Sequence, residues 1–135
     1  MAPMTDPTTS DARAVDPRPR VSARADGGAT VEGRRCRSCR EVVAFAWPAC
    51  PACGGAVDPA SFGPLGTVWS ATVVRIPVPG RTPPYALAYV DLDEGPRVLA
   101  HVAGPDGAVR PAPIGGRVRL LPASADGDLV VEVLA

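Results

Sequence analysis

The chain has no lysine, a single histidine, and no cysteine outside residues 36–53. Its 14 arginines are matched by 14 acidic residues, so the basic excess that marks most nucleic-acid proteins is missing. No run approaches the ~20 consecutive apolar residues of a membrane helix. The N-terminal stretch MAPMTDPTTSDARAVDPRPR lacks the apolar core of a signal peptide. A cytoplasmic protein is therefore expected. Catalytic signatures are absent as well: there is no GxxxxGK[ST] loop, GxGxxG turn, GxSxG elbow or HExxH helix. His101, in VLAHVAG, lies mid-run with no nucleophile tied to it locally. Asp91, Asp93 and Glu94 read as the solvated end of a strand and the turn before Gly95. No catalytic residue is expected.

All four cysteines are crowded into RRCRSCREVVAFAWPACPACGG, residues 34–55. In a reducing compartment, CxxC pairs bind metal or do redox work more often than they form structural disulfides. Cys36 with Cys39, and Cys50 with Cys53, can each turn two thiolates toward one ion. Together they place four sulfurs at the tetrahedral corners that Zn²⁺ accepts. Four thiolates close the coordination shell, which makes the expected zinc structural, since a catalytic zinc keeps a position open. An iron centre of the rubredoxin kind would use the same four sulfurs. A thioredoxin-type redox pair finds no βαβ pattern around it. Between the pairs, REVVAFAWPA reads as a short hairpin built on Val42, Val43, Phe45 and Trp47 and ended by Pro48. Gly54 stands where such a knuckle needs positive φ; the matching place in the first knuckle is Arg40, a less comfortable residue there.

Residues 1–30 mix Pro, Thr, Asp, Arg and Gly without a period of 2 or 3.6, and are expected to form a disordered arm. A rubredoxin-like zinc ribbon is expected over residues 31–60. The Pro/Gly stretch DPASFGPLG then reads as the connector to a domain over residues 61–135. That domain shows five strand-like runs: GTVWSATVVRIPV from Gly66, YALAYVDL from Tyr85, RVLAHVAG from Arg97, RVRLLPA from Arg117 and DLVVEVL from Asp128. Turn residues separate them, and no helical pattern follows Cys53. The fold class is thus all-β, a ribbon followed by a five-stranded barrel. Strand number and the long link between the third and fourth runs fit an OB-fold barrel, with an SH3-like barrel as the competing topology.

Arg34, Arg35, Arg37 and Arg40 crowd the first knuckle. Forked guanidinium groups suit phosphate, whether of coenzyme A or of nucleic acid, and equally suit the acids of a protein partner. A solvated charged rim accounts for them equally well.

The motifs CRSC and CPACGG, then GTVWSATVV, PPYALAYVDLDEGPRVLAHV and IGGRVRL, resemble in this order the small zinc-ribbon and OB-fold proteins associated with acyl-CoA metabolism. That family is named a domain of unknown function and stands beside thiolase-like enzymes. The resemblance spans about residues 34–121. It implies a non-catalytic accessory subunit of a thiolase-fold or condensing enzyme, or of a hot-dog-fold hydratase, that supports assembly and contributes to binding or channelling of CoA or an acyl substrate. It assigns zinc ligation to Cys36, Cys39, Cys50 and Cys53. The family's N-terminal helix with an aromatic anchor has no counterpart here, since no aromatic residue precedes Phe45. The alternative is a module for single-stranded nucleic acid. Such a module wants aromatic platforms in a basic groove, whereas the barrel region offers Trp69, Tyr85 and Tyr89 among nearly balanced charges.

Overall fold

The computed structural model describes residues 16–135. Nine strands make two assemblies: β1 Arg20–Ala23, β2 Ala29–Cys36, β3 Val42–Val43 and β4 Val57–Phe62 form one sheet, and β5 Leu65–Val74, β6 Tyr85–Leu92, β7 Arg97–Ala103, β8 Arg117–Leu121 and β9 Val130–Val133 form a closed barrel. Among the described residues no helix is long and apolar enough to cross a membrane.

β2 organises the first sheet. Its residues 31–36 pair with β4, while β1 pairs with residues 29–32 and β3 with Arg34 and Arg35. Because β4 overlaps both, β1 and β3 must follow one another along the opposite edge of β2. Gly33 stands where they meet. A Cβ there would overlap the Val43 carbonyl oxygen, so only glycine lets the chain after β3 lie this close.

Three expectations are corrected here. Residues 20–30 do not belong to a disordered arm: β1 and the start of β2 form a hairpin closed by Gly28 N–H donating to Asp26 Oδ1 at 3.0 Å, and Val21 packs on the core. Residues 1–15 of the expected arm lie outside the described residues. The stretch Val57–Phe62 is not a plain connector but strand β4. Pro59 is tolerated because β4 has a neighbour on one side only, where no ladder bond from its missing N–H is required. Between the cysteine pairs there is no hairpin, since Val42 and Val43 pair with β2 instead of with each other's neighbours.

The barrel follows the five expected runs closely. Its order is β5-β6-β7-β9-β8, closed by β8 on β5, with β7 and β9 parallel and the other pairs antiparallel. This mixed, closed, five-stranded arrangement is of the OB type, which settles the choice against an SH3-like barrel. Alternation puts Ala86, Ala88, Val90 and Leu92 of β6 and Val98 and Ala100 of β7 inside. Leu120 of β8, fully buried, is the largest of the core side chains with no exposure.

The two assemblies share one core. Ala29, Val31 and Phe62 of the first sheet belong to the same apolar cluster as Val68, Val90, Leu120 and Val131 of the barrel. The Phe62 ring lies on the turn after β6, where a Cβ on Gly95 would come within 2.9 Å of it.

Leu120→Ala is expected to cost about 2–5 kcal/mol through lost transfer energy and the cavity left behind. In urea titrations, the transitions of the first sheet and the barrel should move together to lower midpoint. Two separated transitions would show that the core is not shared.

Candidate metal centre and the adjoining cleft

Cys36 ends β2, and Cys39 follows on the turn into β3; Cys50 and Cys53 occupy the turn before β4. The structure brings all four Sγ atoms within 4.8 Å of one another. Cys36 and Cys53 are 3.5 Å apart, and Cys39 and Cys50 are 3.6 Å apart. A tetrahedral zinc centre with Zn–S bonds of about 2.3 Å spaces its sulfurs about 3.8 Å apart, so these residues fit the ion.

The knuckles are built alike. Cys36 N–H donates to the Glu41 carbonyl at 2.8 Å, and Cys50 N–H donates to the Gly55 carbonyl at 2.9 Å. Each loop also aims amide hydrogens at its first sulfur: Ser38 at 3.3 Å and Cys39 at 3.5 Å on Cys36, Ala52 at 3.4 Å on Cys50. At equivalent places Gly54 has φ 77° and Arg40 has φ 68°. The residue that looked uncomfortable in the sequence therefore does adopt the left-handed conformation, at a cost of about 1–2 kcal/mol relative to a glycine.

The four crowded thiols act on one another. Amide hydrogen bonds from Cys39 and Ser38 outweigh burial and draw the Cys36 thiol down to about 6. Cys39 is pushed up to about 12: the Glu41 amide lowers it, but its contacts with Cys50, Cys53 and Cys36, together with burial, oppose its ionisation more strongly. One thiolate is accommodated, and its negative charge disfavours the next. A bound divalent ion removes that conflict and holds all four sulfurs ionised.

The four arginines are not one patch. Arg35, Arg37 and Arg40 border a hollow of about 360 Å³ beside Cys36, together with Asp58. Arg34, on the opposite face of β2, borders another hollow with Arg20, Glu32, Phe45 and Trp47. Within the first group, Arg37 is paired with Asp58 at 2.7 Å. Arg35 donates to the Glu94 carbonyl at 3.2 Å and lies 5.7 Å from the centre of the Phe62 ring, so it ties the sheet to the barrel.

A second constellation, not singled out from the sequence, sits between the ribbon loop and the barrel. A cleft of about 450 Å³ runs between Phe45 on one side and Tyr85, Leu87, Tyr89 and Leu99 on the other. At its edge Asp128, 7% exposed, accepts hydrogen bonds from Arg18 at 2.9 Å and from Arg81 at 2.7 Å. His101 Nε2 is 3.5 Å from the same carboxylate, and the imidazole lies 5.4 Å from the Tyr85 ring, centre to centre. Burial lowers the pKa of His101 despite Asp128, and Arg81 acts in the same direction. His101 is thus a half-buried, partnered residue, as its place in the strand suggested. These residues come from positions 18, 81, 101 and 128, and no local pattern announces their meeting. Of the acidic group at the end of β6 and in the turn after it, Asp91 pairs with Arg97 and Asp93 with Arg117, each at 2.6 Å, while Glu94 turns the chain at φ 53°.

Metal analysis of the purified protein should give one zinc per chain in a colourless sample, and removal by a strong chelator should abolish protection of the residue 36–56 amides from hydrogen exchange. A visible absorption band would indicate iron instead. A second prediction concerns acid stability. Hydrogen bonds from Arg81, then Arg18, hold the Asp128 carboxyl at about 2 against its ordinary 3.8. Its contribution is therefore complete above pH ~4 and is lost as pH falls toward 2. Asp128→Asn should lower the melting temperature at neutral pH and flatten the decline between pH 4 and 2.

The family model for the C-terminal OB-fold domain of ChsH2 matches residues 61–121. Among solved structures, the chain is similar to one described as the Ltp2-ChsH2(DUF35) aldolase, at 29% identity over 76% of this chain and 83% of that one, with a TM-score of 0.57. It shares its fold with a protein of unknown function from the DUF35 family of Sulfolobus solfataricus, 18% identical, with a TM-score of 0.56 over 78% of this chain and 76% of the other. No curated protein matches. A ChsH2-type OB domain behind four clustered cysteines agrees with the ribbon-and-barrel architecture read from the motifs.

Proposed function

We propose that this protein is a zinc-binding, non-catalytic accessory subunit that docks on an acyl-processing enzyme. The proposed partner is of the thiolase fold or a related condensing enzyme, with a hot-dog-fold hydratase as the other candidate. One observation carries the docking. The outward positions of β5, β6 and β7, which face water in an ordinary solvated barrel, hold Trp69, Tyr89 and Leu99, exposed by 53%, 44% and 46%. Tyr89 and Leu99 are cross-strand partners, and Trp69 meets Tyr89 edge to face at 6.2 Å. Arg97 stacks 3.7 Å from the centre of the indole, and its ion pair with Asp91 sets a polar rim beside the apolar centre. An aromatic centre with a polar rim is the usual anatomy of a protein–protein hot spot.

The likeness to a chain described in complex terms, Ltp2-ChsH2(DUF35) aldolase, supports an enzyme as the partner. The cleft beside Phe45, Tyr85, Leu87 and Leu99 supports contact with an acyl group, because it is apolar and within the usual size of ligand pockets. Arg34, with Arg20 at the neighbouring hollow, supports contact with a phosphate or an acidic partner residue. Nucleic acid is less well served: the Trp69 ring already carries Arg97, and most arginines of the barrel are engaged by acids.

Co-expression with a thiolase-fold enzyme should yield a complex that co-elutes, and the isolated chain should show no turnover. Trp69→Ala with Leu99→Asp should weaken that complex by roughly 30-fold or more, the scale of a hot-spot loss of about 2 kcal/mol, without loss of zinc. Retention of RNA at moderate salt, with no thiolase-fold protein bound, would sink the reading.

A further inference from the structure

We infer that Arg40, with Arg35, supplies the counter-charge of the metal centre, and that the hollow beside Cys36 is a charge-balancing pocket and not a phosphate site. The inference rests on the zinc reading of the four cysteines.

Four thiolates and one Zn²⁺ carry a net charge of −2. Around the second pair, the flanking residues Pro48, Ala49, Pro51, Ala52, Gly54 and Gly55 are all uncharged. Compensation must therefore come from the first knuckle. There the hollow is bordered by Arg35, Arg37, Arg40 and Asp58. Arg37 and Asp58 cancel one another in their 2.7 Å ion pair. Arg35 is held by a carbonyl oxygen and an aromatic ring, neutral partners that leave its charge uncompensated. Arg40 has no acidic partner among the described residues. Arg35 and Arg40 are thus the cations of this hollow that no ion pair cancels, against the single unpaired acid of the knuckle, Glu41. An incoming phosphate would then compete with the tetrathiolate for the same cations.

The backbone gives an independent argument. Arg40 takes φ 68° at the place where the other knuckle has Gly54 at φ 77°. Glycine would occupy this turn without strain. A side chain kept at a strained position points to a role that glycine would not fill. At the lip of this hollow, bringing a permanent positive charge to the cluster is what distinguishes arginine, whose guanidinium stays ionised at any working pH.

The test is zinc affinity, measured by competition with a chromogenic chelator on the zinc-loaded full chain for wild type, Arg40→Lys and Arg40→Gln. All three keep the same backbone strain, and the side chain is exposed, so folding is unaffected. Arg40→Lys should hold zinc like wild type. Arg40→Gln should release it about three- to tenfold more readily, the worth of one charge at a partly solvated distance. The gap should narrow in ~1 M salt, where screening acts within about 3 Å. Equal affinity in Arg40→Gln and wild type would overturn the assignment. So would tight binding of inorganic phosphate to the zinc-loaded protein that Arg40→Gln abolishes. Failure of the wild-type chain to take zinc at all would instead overturn the metal reading beneath it.

Discussion

Four thiolates gathered within 4.8 Å cannot all ionise by themselves, and most of the ribbon depends on how that conflict is resolved. Without a cation, the amides that draw Cys36 toward the thiolate leave Cys39 pushed far in the other direction. A divalent ion turns the same crowding into cohesion. The residue 36–56 loop buries only Cys36, Ala44 and Cys50 fully, so the ligand bonds of a bound ion would supply there what a core does elsewhere. The consequence reaches further than the loop. Cys36 is the last residue of β2, whose first residues, Ala29 and Val31, are fully buried in the cluster that also fills the barrel.

Much of this was legible in the residues, and the parts that were not share a physical cause. The CxxC spacing announced the sulfur cluster because the ligands are local to two short turns. The barrel strands were visible because apolar runs end in Gly and Pro turns; YALAYVDL corresponds to β6 residue for residue. β1 and β4 were hidden because their pairing with β2 runs through main-chain groups, which leave no mark on composition, while Pro59 and the polar neighbours of Val21 suggest loop. Asp128 was hidden for another reason. Its partners come from sites distant in the chain, and an acid before an apolar run is indistinguishable from any solvated strand end until the fold is known.

The outward face of the barrel shows what periodicity can and cannot say. Along β6 both sets of alternate residues are apolar or aromatic over most of its length: Ala86, Ala88 and Val90 point inward, and Tyr85, Leu87 and Tyr89 point outward. A strand of this kind is normally covered on both sides. Here the ribbon loop covers one end through Ala44 and Phe45, and the Trp69, Tyr89 and Leu99 end is left bare. The lack of a polar alternate set in YALAYV was thus a sign of contact, although a run of apolar letters alone does not say which side stays open.

β4 ends at Phe62 and β5 begins at Leu65, with Gly63 and Pro64 as the whole of the join. Together with the continuity of β2 from Cys36 to the core, this makes the described part of the molecule a jointless tool. Its cysteine turn and its aromatic face are held at one spacing, as the two jaws of a fixed wrench are. A partner that grips both meets a surface whose orientational freedom was already spent during folding, so little remains to be frozen at the moment of association.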